Sequence, residues 1–233
     1  MRTRGRARGG AAALAAAAIC GAALAGCGGG TATTVTVPVT TQADTATIPS
    51  SGIGVTTTPA GPENVALEHG APVAPASTTA QGQLVNGIQC SSLEQLAYQA
   101  HAHLQIYVDG AARSLPGGIG MLEPQPTTTA YGPLYTATEC YYWLHTHAAD
   151  GIIHVNSPVP RTYTLGDFFD VWGQPLSSRN VAGHRGAITV IVNGRRWRGN
   201  PRAIPLTEHA EIELAVGTPV PAFERFDWSQ TNL

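Results

Sequence analysis

The sequence contains no lysine, and its only methionines are Met1 and Met121. Because methionine supplies the thioether ligands of copper(I) sites, this scarcity argues against a site of that kind. The 13 basic residues, all of them arginines, are fewer than the 15 acidic residues, and beyond the first eight positions they are scattered. An acidic chain without a basic patch lacks the electrostatic surface that binds nucleic acid, so nucleic-acid binding is excluded.

The N-terminus has the pattern of a secretory signal. Arginine occupies every second position from 2 to 8, before an apolar run over 11–23 that is too short to span a membrane. The run ends in Leu-Ala-Gly-Cys at 24–27, which resembles the lipobox of bacterial lipoproteins. The resemblance implies removal of a signal peptide, 1–26, and lipidation of Cys27, which would tether the protein to the extracytoplasmic face of the cell membrane. An ordinary signal peptide with a coincidental cysteine is the alternative.

Two cysteines lie beyond this N-terminal region, Cys90 and Cys140. In an exported protein such a pair is predicted to form a disulfide. Metal ligation by Cys140 is the alternative, but an even-numbered position in its predicted strand faces away from the odd-numbered His145 and His147. The sequence therefore favours the disulfide.

The segment 27–89 is predicted to be a flexible, lipid-anchored linker. It is rich in Gly, Thr, Ala, Pro and Val, carries few charges and shows no sustained period of 2 or 3.6 residues. Such a composition buries too little apolar surface to offset the entropy of ordering the chain. One globular domain, 90–233, is expected to follow this disordered tether.

Five of the eight histidines are concentrated in one part of the chain. The first two, His101 and His103, alternate with the apolar residues of 102–108, a period of two that predicts a half-buried strand with both imidazoles on its polar face. Asp109-Gly110 follows and suits the positive φ angles of a type I′ turn. The chain is therefore predicted to return over 111–115 as the second arm of a hairpin.

A second hairpin is predicted over 140–156, with Asp150-Gly151 at its turn. A two-residue loop would place His147 opposite His154, and a four-residue loop would place His145 opposite His154. Both registers put these three imidazoles on one face of the sheet, with opposed Cβ atoms about 4.5–5.5 Å apart. The sequence leaves the choice of register open.

Imidazoles clustered on one face repel one another when protonated, whereas a transition-metal ion about 2.0–2.1 Å from each ring nitrogen would hold them together. The predicted metal ligands are His101, His103, His145, His147 and His154. Such ligands suit copper(II) or zinc, and the sequence does not decide between the two metals. It also leaves open whether the two histidine pairs form one site. The remaining histidines are interpreted as ordinary hydrogen-bonded residues: His69, His184 and His209.

Two short helices are predicted from capping boxes, one begun by Ser91 with Glu94 and one by Thr164 with Asp167. Asn193-Gly194 predicts a further hairpin. The predicted fold class is therefore α+β, a single β-rich domain of antiparallel hairpins with two short helices after a disordered tether.

Three segments, 101–120, 144–158 and 164–173, resemble an uncharacterised group of exported prokaryotic proteins. Members of this group share paired histidines, an LHTH turn and a GIIH strand, which this chain has at 144–147 and 151–154. The group carries an acidic residue after each of the last two motifs, where this chain has Ala148 and Asn156. The resemblance implies no particular activity.

The predicted function is that of a membrane-tethered extracytoplasmic lipoprotein that binds copper or zinc for metal capture or handling. One alternative is a small metal-dependent enzyme, because three histidines on paired strands are similar to the zinc site of α-carbonic anhydrases. A general base is not evident, since the acidic residues nearby are interpreted as a cap, a strand-edge residue and a turn residue: Glu94, Glu139 and Asp150. The other alternative is a metal-free envelope interaction module.

Overall fold

The computed structural model describes residues 60–233. The predicted signal peptide, Cys27 and the first part of the predicted linker lie outside the described residues. Among the residues that are described, no helix is long and apolar enough to cross a membrane.

The described chain folds mainly as β-sheet, as predicted. Its thirteen strands are β1 (Cys90–Ser91), β2 (Tyr98–Val108), β3 (Ala111–Arg113), β4 (Met121–Thr129), β5 (Gly132–Tyr142), β6 (Leu144–His145), β7 (Ile152–Ser157), β8 (Leu176–Ser177), β9 (Asn180–Val181), β10 (His184–Arg185), β11 (Ile188–Val192), β12 (Arg195–Arg196) and β13 (Ala210–Val216). One α-helix, α1 (Leu165–Trp172), and two 3-10 turns, Pro201–Ala203 and Trp228–Gln230, complete the regular structure of residues 60–233.

A seven-stranded sheet organises the domain, in the order β12-β11-β13-β2-β7-β6, with β3 also paired to β2. Two three-stranded sheets flank it, β1-β5-β4 and β10-β9-β8. In the large sheet β13 runs parallel to β2, so this pair lies outside the predicted antiparallel hairpins. A parallel pair requires a long crossover connection, and no local sequence signal specifies which distant strand will be the partner.

Two of the three hairpin turns signalled by sequence are confirmed, whereas Asp150 and Gly151 lie within a six-residue connection between β6 and β7. Asp109 and Gly110 join β2 to β3 with φ angles of 49° and 79°, and Asn193 and Gly194 join β11 to β12 with φ angles of 51° and 76°. Two consecutive positive φ angles are those of a type I′ turn, whose twist matches the right-handed twist of the flanking strands.

The large sheet has one apolar and one polar face because side chains alternate along each strand. On β2 the even-numbered Ala102, Leu104 and Ile106 are fully buried, and they share a core cluster with the aromatic residues of α1. The odd-numbered residues of β2 point to the opposite face, as do His145 of β6 and His154 of β7, which pair with each other. This polar face carries the candidate site.

Helix α1 begins and ends as its sequence predicts. The Thr164 hydroxyl accepts a hydrogen bond from the Asp167 amide, and the Asp167 carboxylate accepts one from the Thr164 amide. Gly173 ends the helix in the left-handed conformation, with φ of 76°. The capping-box prediction is confirmed here.

The helix predicted after Ser91 does not form. Ser91 belongs to β1, where it pairs with Tyr141, and residues 92–97 run as bends and irregular backbone. Strand pairing at Cys90 and Ser91 fixes an extended backbone at the position where the helix would begin. The Glu94 side chain consequently does not cap a helix and is free to face the histidines.

The predicted disulfide between Cys90 and Cys140 is confirmed, with Cα atoms 5.4 Å apart. It joins β1 to β5 across 50 residues of sequence. On the chain-entropy model, closing a loop of this length stabilises the fold by about 4 kcal/mol.

The described part of the predicted linker packs against the domain. Val73, Ala80 and Ile88 are 4%, 2% and 0% exposed and belong to the main core cluster. The folded unit therefore begins before the expected boundary at Cys90. These apolar residues are isolated along the sequence, so they produce no period from which packing could be predicted.

Candidate metal centre

The strand that carries His154, β7, lies between β2, which carries His101 and His103, and β6, which carries His145. In β7, His154 pairs with His101 of β2 on one side and with His145 of β6 on the other. The pairing of His145 with His154 is the one expected from the four-residue-loop register. The ladder between β6 and β7 contains two residue pairs only, and residues 146–151 form the connection.

Four of the five predicted histidines form one connected cluster, in which the His154 ring contacts each of the other three rings. The His154 ring centroid lies 5.0 Å from that of His101, 4.7 Å from that of His147 and 5.5 Å from that of His145. The rings of His145 and His147 are 4.8 Å apart. Of the first histidine pair, only His101 therefore joins the cluster of His145, His147 and His154.

The fifth histidine, His103, is not brought into this cluster. It lies two residues along β2 from His101, and its ring stacks on Phe226 at 4.3 Å and 21° between planes. Desolvation lowers the pKa of His103 to about 4. At neutral pH it is therefore an uncharged residue packed against an aromatic ring.

Backbone carbonyls fix the orientation of two imidazoles. The Nδ1 of His145 lies 2.8 Å from the Tyr142 carbonyl oxygen, and the Nδ1 of His147 lies 2.9 Å from that of Tyr135. A carbonyl oxygen only accepts hydrogen bonds, so each Nδ1 carries the hydrogen. In each neutral ring the Nε2 atom then has a free lone pair. This is the tautomer in which Nε2 can coordinate a metal ion.

The two Nε2 atoms face each other at 3.1 Å. Two lone pairs at this distance repel, so a cation, either a proton or a metal ion, is required between them. The carboxylate of Glu94 closes the third side, with Oε2 3.7 Å from the His145 Nε2 and Oε1 3.6 Å from the His147 Nε2. Glu94, His145 and His147 can thus each present one ligand atom within 4.8 Å of the other two.

These separations fit a small metal ion. Ligand atoms about 2.0–2.1 Å from a tetrahedral zinc ion are about 3.3 Å from one another. The observed nitrogen–nitrogen distance is 0.2 Å shorter than this, and the two oxygen–nitrogen distances of 3.6 and 3.7 Å are slightly longer. A few tenths of an ångström of side-chain movement would bring all three groups to bonding distance.

Glu94 is itself held in position by Asn156. The Asn156 Nδ2 donates a hydrogen bond of 2.7 Å to Glu94 Oε2. Asn156 therefore orients the carboxylate and is not itself one of the clustered ligand groups. Ala148, the other position where an acidic residue was expected from the resemblance, is fully buried.

The protonation states of the cluster are coupled through Glu94. The adjacent imidazoles of His145 and His147 hold the pKa of Glu94 well below its usual range. Desolvation lowers the pKa of His145, and Glu94 only partly opposes this effect. Desolvation also acts on His147, but the neighbouring Glu94 carboxylate and the hydrogen bond to the Tyr135 carbonyl outweigh it, so the pKa of His147 is raised. His147 therefore binds a proton more readily than His145 does, and a metal ion would displace that proton.

His154 has a carboxylate partner of its own. Its Nε2 lies 3.2 Å from Glu63 Oε2. Desolvation lowers the pKa of His154 to about 4, although Glu63 acts in the opposite direction. Near neutral pH the pair is thus an uncharged imidazole that donates to a carboxylate, adjacent to the rings of His145 and His147.

Two carboxylates of the site were not identified from the sequence. Glu94 was misinterpreted as a helix cap, and Glu63 lies in the segment assigned to the linker. The Glu94 pattern, Ser-x-x-Glu before apolar residues, is that of a capping box, so the local signal favoured the wrong structure. For Glu63 no local signal exists, because its contact with His154 spans 91 residues of sequence.

Comparison of the chain with protein-family models, with curated proteins and with solved structures found no match.

The low pKa of His103 predicts an acid-dependent loss of stability. The folded-state pKa of about 4 lies below the ordinary value of 6.5, so the unfolded chain takes up the proton first as the pH falls. The contribution of His103 to the free energy of unfolding is therefore complete above pH 6.5. It decreases by about 3 kcal/mol in total as the pH falls toward 4. The stability advantage of the wild type over His103→Gln should therefore shrink by this amount between pH 7.5 and 4, in urea unfolding with a chelator present. The same substitution at the exposed His69 serves as control, and an advantage independent of pH would contradict the assignment.

Proposed function

We propose that this protein captures or handles a transition-metal ion on the extracytoplasmic face of a membrane, to which a lipidated Cys27 tethers it. The metal site consists of Glu94, His145 and His147. The observation that carries the proposal is the 3.1 Å approach of two imidazole Nε2 atoms whose Nδ1 atoms are both bound to carbonyls.

The donor set limits which metals are suitable. Two imidazole nitrogens and one carboxylate oxygen suit zinc or copper(II), and a two-histidine, one-carboxylate set also occurs in iron(II) sites. Alkaline-earth ions prefer sites made of oxygen ligands alone. Metal binding should stabilise the fold, because these ligands are brought together only in the folded chain.

Burial of the site favours holding a metal ion over processing a large substrate. His145 is 0% exposed and His147 is 8% exposed. The Tyr141 ring also lies 5.5 Å from the ring of His145 and 6.2 Å from that of His147. An ion in this position would be largely enclosed by protein, as is expected of a capture site.

A small metal-dependent enzyme is the second candidate, and the pair of His154 and Glu63 is the observation that favours it. Three protein ligands would leave a coordination position open for water on a zinc ion. The His154 ring lies 4.7 Å from that of His147, so His154 and Glu63 could exchange a proton with a group bound there. An exchangeable water ligand on the bound metal would favour catalysis, and saturated coordination by protein would favour capture.

Calorimetric titration of zinc and copper(II) into three variants tests the metal site. His147→Ala removes a ligand and should weaken binding by more than the roughly 10–100-fold expected for loss of an outer partner. Asn156→Ala removes only the hydrogen bond to Glu94, so it should weaken metal binding by no more than roughly 10–100-fold. His184→Ala is the matched control, because His184 bonds to the Val73 carbonyl, away from the cluster. Equal affinities in the parent and all three variants would exclude the proposed ligand set.

The lipid anchor is tested separately. Cys27→Ser removes the thiol on which acylation depends, so lipid labelling should disappear and the protein should leave the membrane fraction. The metal affinity of the released protein should be unchanged, because Glu94, His145 and His147 are retained. Unchanged lipid labelling and membrane retention in the variant would show that the lipobox assignment is incorrect.

A further inference from the structure

A second polar cavity lies on the same face of the large sheet, outside the metal centre. Its floor is formed by β2 and β13, which run side by side, with Glu213 paired to Gln105 and Glu211 paired to His103. The C-terminal segment 223–226 covers it with Phe223 and Phe226. This partly open cavity has a volume of about 160 Å³.

The floor of this cavity holds a buried carboxylate without a partner. Glu213 is 3% exposed, and its Oε1 is buried without a hydrogen-bond partner in the protein. A buried charged oxygen that makes no hydrogen bond is costly, so a donor is expected to reach it. Desolvation raises the pKa of Glu213, and the nearby charge of Glu224 raises it further.

Negative charge exceeds positive charge around the cavity. Glu211, Glu213 and Glu224 line it, and the single guanidinium of Arg225 approaches Glu211 at 3.6 Å from a largely exposed position. His103 supplies no positive charge at neutral pH, since its pKa is about 4. A cation inside the cavity would neutralise the excess and give Glu213 the donor it lacks.

We infer that this cavity binds a small organic cation, an alkylammonium group whose N–H donors face Glu213 and whose carbon atoms contact Phe223 and Phe226. The aromatic walls offer no ligand atoms to a metal ion, but their faces attract a cationic nitrogen. The volume also exceeds what one bare ion needs, since a cavity of about 150 Å³ accommodates benzene. The inference is independent of the proposed metal site, because Glu94, His145 and His147 do not line this cavity.

The test uses n-butylammonium and its uncharged counterpart 1-butanol, titrated into the full chain and followed by amide NMR shifts and calorimetry. Butylammonium should bind saturably, with shifts at Gln105 and Phe226 and a dissociation constant of about 1 mM or tighter. Butanol should bind at least ten-fold more weakly. Calcium, titrated in the same way, should not cause these shifts.

Three variants test the role of the carboxylate. Glu213→Gln, which keeps the shape of the side chain, should weaken butylammonium binding about ten-fold or more. Arg225→Gln removes the competing cation and should strengthen it, and the exposed Glu139→Gln should have no effect. If Glu213→Gln does not fold, the Arg225→Gln variant and the comparison with butanol still test whether the cavity binds the organic cation. The inference would be overturned if butanol bound as tightly as butylammonium, or if calcium bound in place of butylammonium. It would also be overturned if the affinity for butylammonium were unchanged in both Glu213→Gln and Arg225→Gln.

Discussion

The arrangement of the candidate metal centre follows from one constraint, the commitment of two Nδ1 atoms to carbonyls of a single strand. Tyr135 and Tyr142, whose carbonyls accept from His147 and His145, both belong to β5. Because β5 fixes the tilt of both rings, their Nε2 lone pairs converge and cannot turn away from each other. A cation at that point relieves the repulsion, and every other group of the site is placed around it.

The disulfide connects this constraint to the carboxylate. Cys140 lies in β5 between the two tyrosines, and its partner Cys90 begins the short segment that leads to Glu94. The strand that orients the imidazoles is thus covalently joined to the segment that carries Glu94, the third group of the candidate site. Preorganisation of this kind reduces the entropy lost when an ion binds. It also explains why residues 92–97 can remain irregular and still position Glu94.

The polar face of the large sheet and the adjoining connection, 146–151, contain buried titratable groups that reduce the stability of the fold. Desolvation lowers the pKa values of His103 and His154 to about 4 and raises that of Asp150 to about 7. Each shift means that the folded chain disfavours the charged form of a buried group. Proteins retain such groups where they serve a site, and the apolar face, with its fully buried strand and helix side chains, offsets the cost.

The sequence predicted what depends on neighbouring residues and failed where distant contacts decide. The turns at Asp109-Gly110 and Asn193-Gly194 and the capping of α1 follow from local backbone preferences. The disulfide could be predicted because only two cysteines, Cys90 and Cys140, lie beyond the N-terminal region. Alternation along β2 predicted a common face for His101 and His103, but the local covering by Phe226 separates their environments. The capping box at Ser91 was overridden by strand pairing, and Glu63 reaches His154 through a fold that no local pattern encodes.

Anomalous diffraction from crystals of the zinc-loaded and copper-loaded protein, recorded at each metal's absorption edge, tests the central claim most directly. The account predicts one ordered peak about 2.0–2.2 Å from the Nε2 atoms of His145 and His147 and from a carboxylate oxygen of Glu94. A peak bound to His103, or at a position that leaves Glu94 and both of these imidazoles unligated, would contradict it.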